Sequence, residues 1–259
     1  MSACHRLLNG LLLLAALLAD NAIAAEQLAN TIERIKPAVV GVGSFDKLRK
    51  PPVRLLGTGF VISDGLHVVT NAHVIHAARE DAQARPGIIS GRGSRMQWRD
   101  ALDIRFDQTH DLALFRIEGR PLPVFRLGDS DRVREGEAIA FTGFPIGSVL
   151  GLYPATHRGI IAAITPHAIP ADRATGLDAA AIRALRDPFN VFQLDATAFP
   201  GNSGSPLYRP ATGRVIGIIN KTLVQGTRER ALSQPSGISF AIPVNHVKAL
   251  MKKAGLAPE

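Results

Sequence analysis

The sequence predicts an all-β protein, a barrel or sandwich drawn in two halves, and three observations carry that expectation. Short apolar runs recur along the chain, most of them bounded by Gly, Pro, Asn or Asp. Aromatic residues are few, at 5%, whereas Gly (24) and Pro (17) are plentiful, which favours short elements joined by turns over long helices. A hydrophobic content of 46% over 259 residues is enough to bury a real core.

Residues 1–24 read as a signal peptide and stand apart from the fold. Arg6 supplies a basic start, Leu7 to Leu18 an apolar run broken by Asn9 and Gly10, and Ala22-Ile23-Ala24 a small-residue cleavage signal, so cleavage is expected after Ala24. The run is shorter than the roughly 20 apolar residues that span a bilayer, so no stable membrane span is expected after cleavage. Cys4 lies within this segment, and the mature chain, residues 25–259, would carry no cysteine and no disulfide. Losing Arg6 and Asp20 together leaves the net charge at +8. The excess is densest at Arg92, Arg95, Arg99 and Arg105, but no stacking aromatics interleave with them. They read as a solvated basic face, and nucleic acid is not an expected partner.

The elements follow in order. Gly57 to Ser63 alternates like a strand, Asp64-Gly65 is a turn signal, and Leu66 to Thr70 resumes the extended pattern, which makes a hairpin. Further strands are expected at Leu112 to Ile117, Ala138 to Phe141, Gly159 to Ile164, Val191 to Leu194, Val215 to Ile219 and Gly237 to Ala241. The first half covers about 37–120 and the second about 137–242. Gly119 to Pro123 and the polar stretch Gly128 to Arg134 join them. Pro243 to Ala254 has a proline at its start, Lys252 and Lys253 near its end and Gly255 beyond, the signals of a terminal helix. A second helical piece, Leu177 to Arg186, lies in a surface insert from about Thr165 to Pro188.

The chemistry centres on Phe199-Pro200-Gly201-Asn202-Ser203-Gly204-Ser205-Pro206-Leu207, which sets Ser203 between glycines in a segment built to bend. A serine hydroxyl is a weak nucleophile without a base and an orienting carboxylate. His73 follows directly on a predicted strand and is expected at its end, facing a cleft. Its unperturbed pKa of about 6.5 suits proton transfer near neutral pH. Asp111 opens the apolar strand His110-Asp111-Leu112-Ala113-Leu114-Phe115, where a partly buried carboxylate needs a donor that an imidazole Nδ1–H supplies. The order His, Asp, Ser is that of chymotrypsin and differs from the orders of α/β-hydrolases and subtilisins. Ser205 stands where the G-x-S-x-G elbow would need glycine. His67, His73 and His76 lack the HExxH arrangement, so no metal is expected, and the chemistry calls for no cofactor. Asp195 is expected to support the active-site loop, His67, His76, His157, His167 and His246 are assigned no role, and His110 stays open because it neighbours Asp111.

The blocks GTGFVIS…TNAHVI, HDLALFRI and GNSGSPL, with the closing GISFAIPVNHVKAL, resemble the protease domain of the HtrA/Deg family of chymotrypsin-fold serine proteases. The resemblance covers nearly the whole mature chain. It implies two perpendicular six-stranded antiparallel β-barrels with a short C-terminal helix, His73 and Asp111 coming from the first barrel and Ser203 from the second. It also implies an oxyanion hole made by the backbone N–H groups of Gly201 and Ser203. Thr197 would lie at the floor of the primary specificity pocket, where a small uncharged residue predicts cleavage after Val, Ala or Ile. Asn220, Lys221 and Thr222 would pair with the substrate as an added strand.

The expected function is an exported serine endopeptidase, periplasmic or secreted, acting on unfolded or damaged polypeptides. A catalytically silent, holdase-like relative is the alternative. Members of the family commonly form trimers, but no motif here secures a homo-oligomer. The chain ends at Glu259 where relatives continue into PDZ domains, so no peptide-sensing regulation is expected within it. Asn202 replaces the aspartate of zymogen-type relatives, which leaves the 165–188 insert as the expected control element.

Overall fold

Strands dominate the computed structural model, which describes residues 26–91, 96–145, 153–167, 188–220 and 237–258. The strands β1 (Val39–Phe45), β2 (Val53–Ile62), β3 (His67–Asn71), β4 (Arg85–Ser90), β5 (Gln97–Asp100), β6 (Leu102–Asp107) and β7 (Leu112–Arg116) form one sheet, in the order β5-β4-β1-β2-β3-β7-β6. The strands β8 (Ala138–Gly143), β9 (Ala155–Pro166), β10 (Asn190–Asp195), β11 (Pro206–Tyr208), β12 (Val215–Asn220) and β13 (Ile238–Pro243) close into a barrel, β10-β13-β12-β11-β8-β9. Among the described residues three α-helices accompany them, α1 over residues 26–35, α2 (Ala72–Ala78) and α3 (Val244–Lys253), with a 3-10 turn at Lys36–Ala38. The all-β, chymotrypsin-like architecture with a terminal helix is thus present. The second half closes with six strands as expected, while the first half is a seven-stranded sheet ending on β5 and β6. Those two strands are polar and at most half-buried, so no apolar run marks them in the sequence.

The hairpin forms where the turn residues demand it. β2 pairs with β3 through Phe60 with Val69, Val61 with Val68 and Ile62 with His67. Between them Ser63 and Gly65 take positive φ angles of 58° and 81°. The Asp64 carboxylate accepts the Leu66 amide at 2.9 Å and pairs with His67 Nδ1 at 2.8 Å.

Three apolar clusters hold the molecule. One fills the first sheet under α2, with Val40, Val61, Val68, Ile75, Ile88 and Phe115. Another fills the barrel, with Ile139, Phe141, Ile161, Phe192, Leu207 and Ile219. The third lies between the halves: Phe60, Val69 and Leu114 from the sheet meet Tyr208, Val215 and Ile218 from the barrel, with Leu250 and Met251 of α3 and Leu28 of α1. Burying a large aliphatic or aromatic side chain contributes about 1.5–3 kcal/mol, so this shared cluster fixes how the halves meet. α3 presents Val244, Val247, Leu250 and Met251 to it, an i, i+3, i+6, i+7 stripe, and stops before Gly255 at φ 78°. α1 joins the same layer, and its Arg34 donates to the Thr212 carbonyl at 2.9 Å.

α3 also carries His246, whose ring stacks on His110 with centroids 3.7 Å apart and meets Phe189 edge-on. Burial, reinforced by the neighbouring His110, pushes the His246 imidazole down from 6.5 to about 4. The unfolded chain therefore binds this proton more readily, and its contribution to stability is lost as pH falls from 6.5 towards 4. Discounted for partial exposure, the effect is on the order of 1 kcal/mol, or about 3 °C in Tm. The slope of Tm against pH in that window should be shallower in His246→Phe than in the wild type; equal slopes would show that this proton plays no part.

Candidate active site

Asp111 is the point on which one half of the site is assembled. It sits just before β7 with φ 50°, a left-handed conformation that aspartate tolerates better than most residues. Its carbonyl accepts the Ala72 amide at 3.0 Å and the Asn71 side-chain amide at 3.1 Å. β3 therefore ends at Asn71, and His73 lies in the first turn of α2; the expectation of a strand-end histidine is corrected by one short helix. The carboxylate is shared three ways. Oδ1 accepts the His73 backbone N–H at 2.9 Å, and Oδ2 pairs with His73 Nδ1 at 2.6 Å. Oδ2 also accepts the Asn220 side-chain amide, at 2.8 Å, from the end of β12. A carboxylate only accepts, so Nδ1 carries the hydrogen and Nε2 keeps its lone pair. Both side chains remain about a third exposed, at 31% for His73 and 27% for Asp111, which leaves the ring reachable.

Ser203 lies on a turn between β10 and β11. Asn202 N–H donates to Phe199 C=O at 3.0 Å and Ser205 N–H to Asn202 C=O at 3.0 Å. Gly204 N–H donates to Ile219 C=O at 2.9 Å. Two glycines make the bend: Gly201 at φ 96° and Gly204 at φ 87°. A side chain on Gly204 would also run into the Thr58 carbonyl and the Thr70 hydroxyl. Neither the Gly201 nor the Ser203 amide donates to another backbone group among the described residues. Ser203 is nearly buried, at 7% exposure. No hydrogen bond joins its hydroxyl to His73 among the described residues.

Thr58, on β2, was not singled out by sequence reasoning, yet it bonds to this turn at two places. Its N–H donates to Ser203 C=O at 2.8 Å and its hydroxyl to Gly201 C=O at 2.7 Å. That hydroxyl accepts the Phe144 amide at 3.0 Å, and the Thr58 carbonyl accepts the Thr70 hydroxyl at 2.7 Å. The one signal for it is a small polar residue at the start of the otherwise apolar Gly57 to Ile62 run.

Other expected site residues fall as follows. Thr197 is half-buried between buried Ala196 and Ala198. Asn220, expected in a substrate-pairing segment, is buried at the end of β12 and gives its side-chain amide to Asp111. Lys221 and Thr222 lie outside the described residues, as do residues 1–25 and residues 168–187 of the insert. Asp195 ends β10 with an exposed side chain, and the loop beyond it is tied down by Ser239 instead. Ser205 is accommodated because Gly143 opposite it has no Cβ; an added methyl would strike the Ser205 hydroxyl. Among the described residues both polar side-chain atoms of Asn202 are buried without a partner, a place where an unpaired carboxylate would cost far more than a neutral amide. Of the remaining histidines, His76 stacks on Phe106 and His67 pairs with Asp64. Arg99 donates to the carbonyls of Glu118 and Arg120.

A histidine held by a carboxylate on the sheet side and a serine on a glycine-shaped turn of the barrel, with the turn hydrogen-bonded to β2 at Thr58, fit a chymotrypsin-type peptidase fold. The chain belongs to the trypsin-like peptidase family, whose model matches residues 57–218. It is 32% identical over 210 residues to a probable periplasmic serine endoprotease, DegP-like, of Pseudomonas putida, covering 80% of this chain and 37% of that relative. It is also 32% identical over 211 residues to the mitochondrial serine protease HTRA2 of Drosophila willistoni, covering 81% of this chain and 41% of the other. Among solved structures, the HtrA-type protease AlgW with a tripeptide superposes with a TM-score of 0.63 at 26% identity, over 87% of this chain and 62% of that one. A serine endoprotease from Yersinia pestis gives 0.59 at 28% identity, over 87% of this chain and 65% of the other. The chain spans about two fifths of the length of these curated relatives.

The close approach at Gly204 yields a stability test. Gly204→Ala combines backbone strain with a clash against Thr58 and should destabilise by about 3 kcal/mol or more. Gly136→Ala, at φ 83° with open space around it, should cost only about 1 kcal/mol. Chemical denaturation that returned equal values would show that the turn is not held against β2 as described.

Proposed function

We propose that this chain is an exported serine endopeptidase that hydrolyses unfolded or damaged polypeptides through an acyl-enzyme on Ser203. The observation that carries the reading is the Asp111–His73 pair, at 2.6 Å, together with a serine on a turn that Thr58 hydrogen-bonds to the neighbouring sheet. The periplasmic naming of the DegP-like relatives and the signal-like residues 1–24 support export. Among the described residues no helix is long and apolar enough to cross a membrane.

The following roles fit this geometry. His73 Nε2, with its lone pair free, takes the Ser203 proton as the oxygen attacks the peptide carbonyl, then returns it to the leaving amine. Asp111 holds the tautomer and stabilises the imidazolium. Asn220 supports Asp111, its amide filling acceptor capacity on Oδ2 and keeping that carboxylate aimed at Nδ1. The Gly201 and Ser203 amides, unspent on other backbone groups, stabilise the oxyanion, an effect worth several kcal/mol in the transition state. Water then cleaves the acyl-enzyme by the same proton route. Thr197 and its alanine neighbours favour a small or medium aliphatic residue before the scissile bond.

Cleavage of casein tests the reading. The wild type should degrade it, and Ser203→Ala should lose activity by about 10³-fold or more. Protection of clients from aggregation by both proteins, with proteolysis by neither, would replace the enzyme with a holdase. Asn220→Ala should lower kcat by about 10-fold with little change in KM, because Asn220 acts through Asp111 and His73 and not on the bound peptide. A change confined to KM would return Asn220 to the substrate-pairing role.

A further inference from the structure

The residues preceding the nucleophile turn are held by one hydroxyl from a different strand. Ser239, on β13, lies opposite Leu194 of β10 and is buried, with 4% exposure. Its Oγ accepts the Ala198 backbone N–H at 2.7 Å and donates to the Ala196 carbonyl at 2.7 Å. β10 ends at Asp195, so no sheet ladder continues through these residues, and the serine hydroxyl takes over the pairing that a strand would have supplied. Both bonds fall on the residues flanking Thr197. The Ala196 and Ala198 methyls pack into the barrel core with Phe141, Leu194 and Leu207. Between these two buried alanines Thr197 is only half-buried. The segment is therefore fixed by the apolar contacts of Ala196 and Ala198 and by a two-point clamp, and Thr197 is the more exposed residue between them. Immediately after Ala198 comes the turn from Phe199 to Asn202 that leads into Gly201 and Ser203.

We propose that Ser239 is a specificity-determining positioning residue: by clamping Ala196 and Ala198 it fixes the wall, carried by Thr197, against which the side chain before the scissile bond is read. This rests on the endopeptidase reading above. A pocket discriminates between aliphatic and larger side chains only as sharply as its wall is held, because a wall that yields admits the larger group at little cost. Ser239 touches no reacting atom. Its contribution passes through the backbone of residues 196–198.

The test is Ser239→Ala, assayed on peptides that differ only in having Val or Phe before the scissile bond. The ratio of kcat/KM for Val over Phe should fall by about fivefold or more. Both peptides are cleaved by the same preparation, so loss of folded protein cancels from the ratio, and a merely structural role would leave it unchanged. Hydrogen exchange at the Ala198 amide, which loses its acceptor, should accelerate by about 10-fold. If Ser239→Ala does not fold, Ser239→Cys keeps a side chain of similar size with weaker hydrogen bonding and should give a ratio between those extremes.

An unchanged ratio with faster exchange would show a clamp that does not set selectivity and would overturn the proposal. Unchanged exchange would show that the clamp itself is absent in solution, overturning it from the other side. Failure of the wild type to cleave either peptide in a Ser203-dependent way would instead overturn the endopeptidase reading, and the pocket role with it.

Discussion

Everything at the site depends on how closely β2 of the sheet approaches the Gly201–Gly204 turn of the barrel. Thr58 is fully buried there, and a buried hydroxyl and amide must find partners or cost about 1–3 kcal/mol each. They find them in the carbonyls of Ser203 and Gly201, across the junction of the two halves. The approach is possible only because Gly204 has no side chain. The shared apolar cluster of Phe60, Tyr208 and Ile218 brings the halves together without direction, and the Thr58 bonds give the contact its register.

A second crossing completes the arrangement. Asp111 and His73 belong to the sheet side, whereas Asn220 reaches Asp111 from the barrel. The carboxylate thus accepts the His73 backbone, the His73 ring and the Asn220 amide at once, which leaves it little freedom to rotate. Preorganisation of this kind is what the proposed proton transfer needs, since a group that must reorient during reaction gives up part of its effect. Ser239 extends the same logic to the segment before the Ser203 turn, substituting two hydrogen bonds for a ladder that ends at Asp195.

Much of this was legible in the sequence wherever apolar runs and turn residues coincide. The β2–β3 hairpin announced itself through Asp64-Gly65, the barrel strands through apolar runs such as Val215 to Ile219, and α3 through its proline, lysines and glycine. The polar strands β5 and β6 did not, because a strand at a sheet end carries too few apolar residues to register, and in β4 Pro86 and Gly87 leave only Ile88 and Ile89 as an apolar run. α2 escaped notice for a different reason: seven residues with no acidic first turn and no side-chain cap offer neither periodicity nor a start signal. Ser203, His73 and Asp111 were readable because local context and chain order point to them. Thr58, Asn220 in its contact with Asp111, and Ser239 were not, since each matters through a partner far away in sequence and carries no local mark.

The central claim is that Ser203 is made nucleophilic by His73, and covalent labelling reads that directly. A fluorophosphonate reagent, followed by peptide mass spectrometry, should place one adduct per chain on Ser203 in the wild type, and His73→Ala should label at least about 100-fold more slowly. Equal labelling rates in the two proteins, or an adduct on any other serine, would contradict the account.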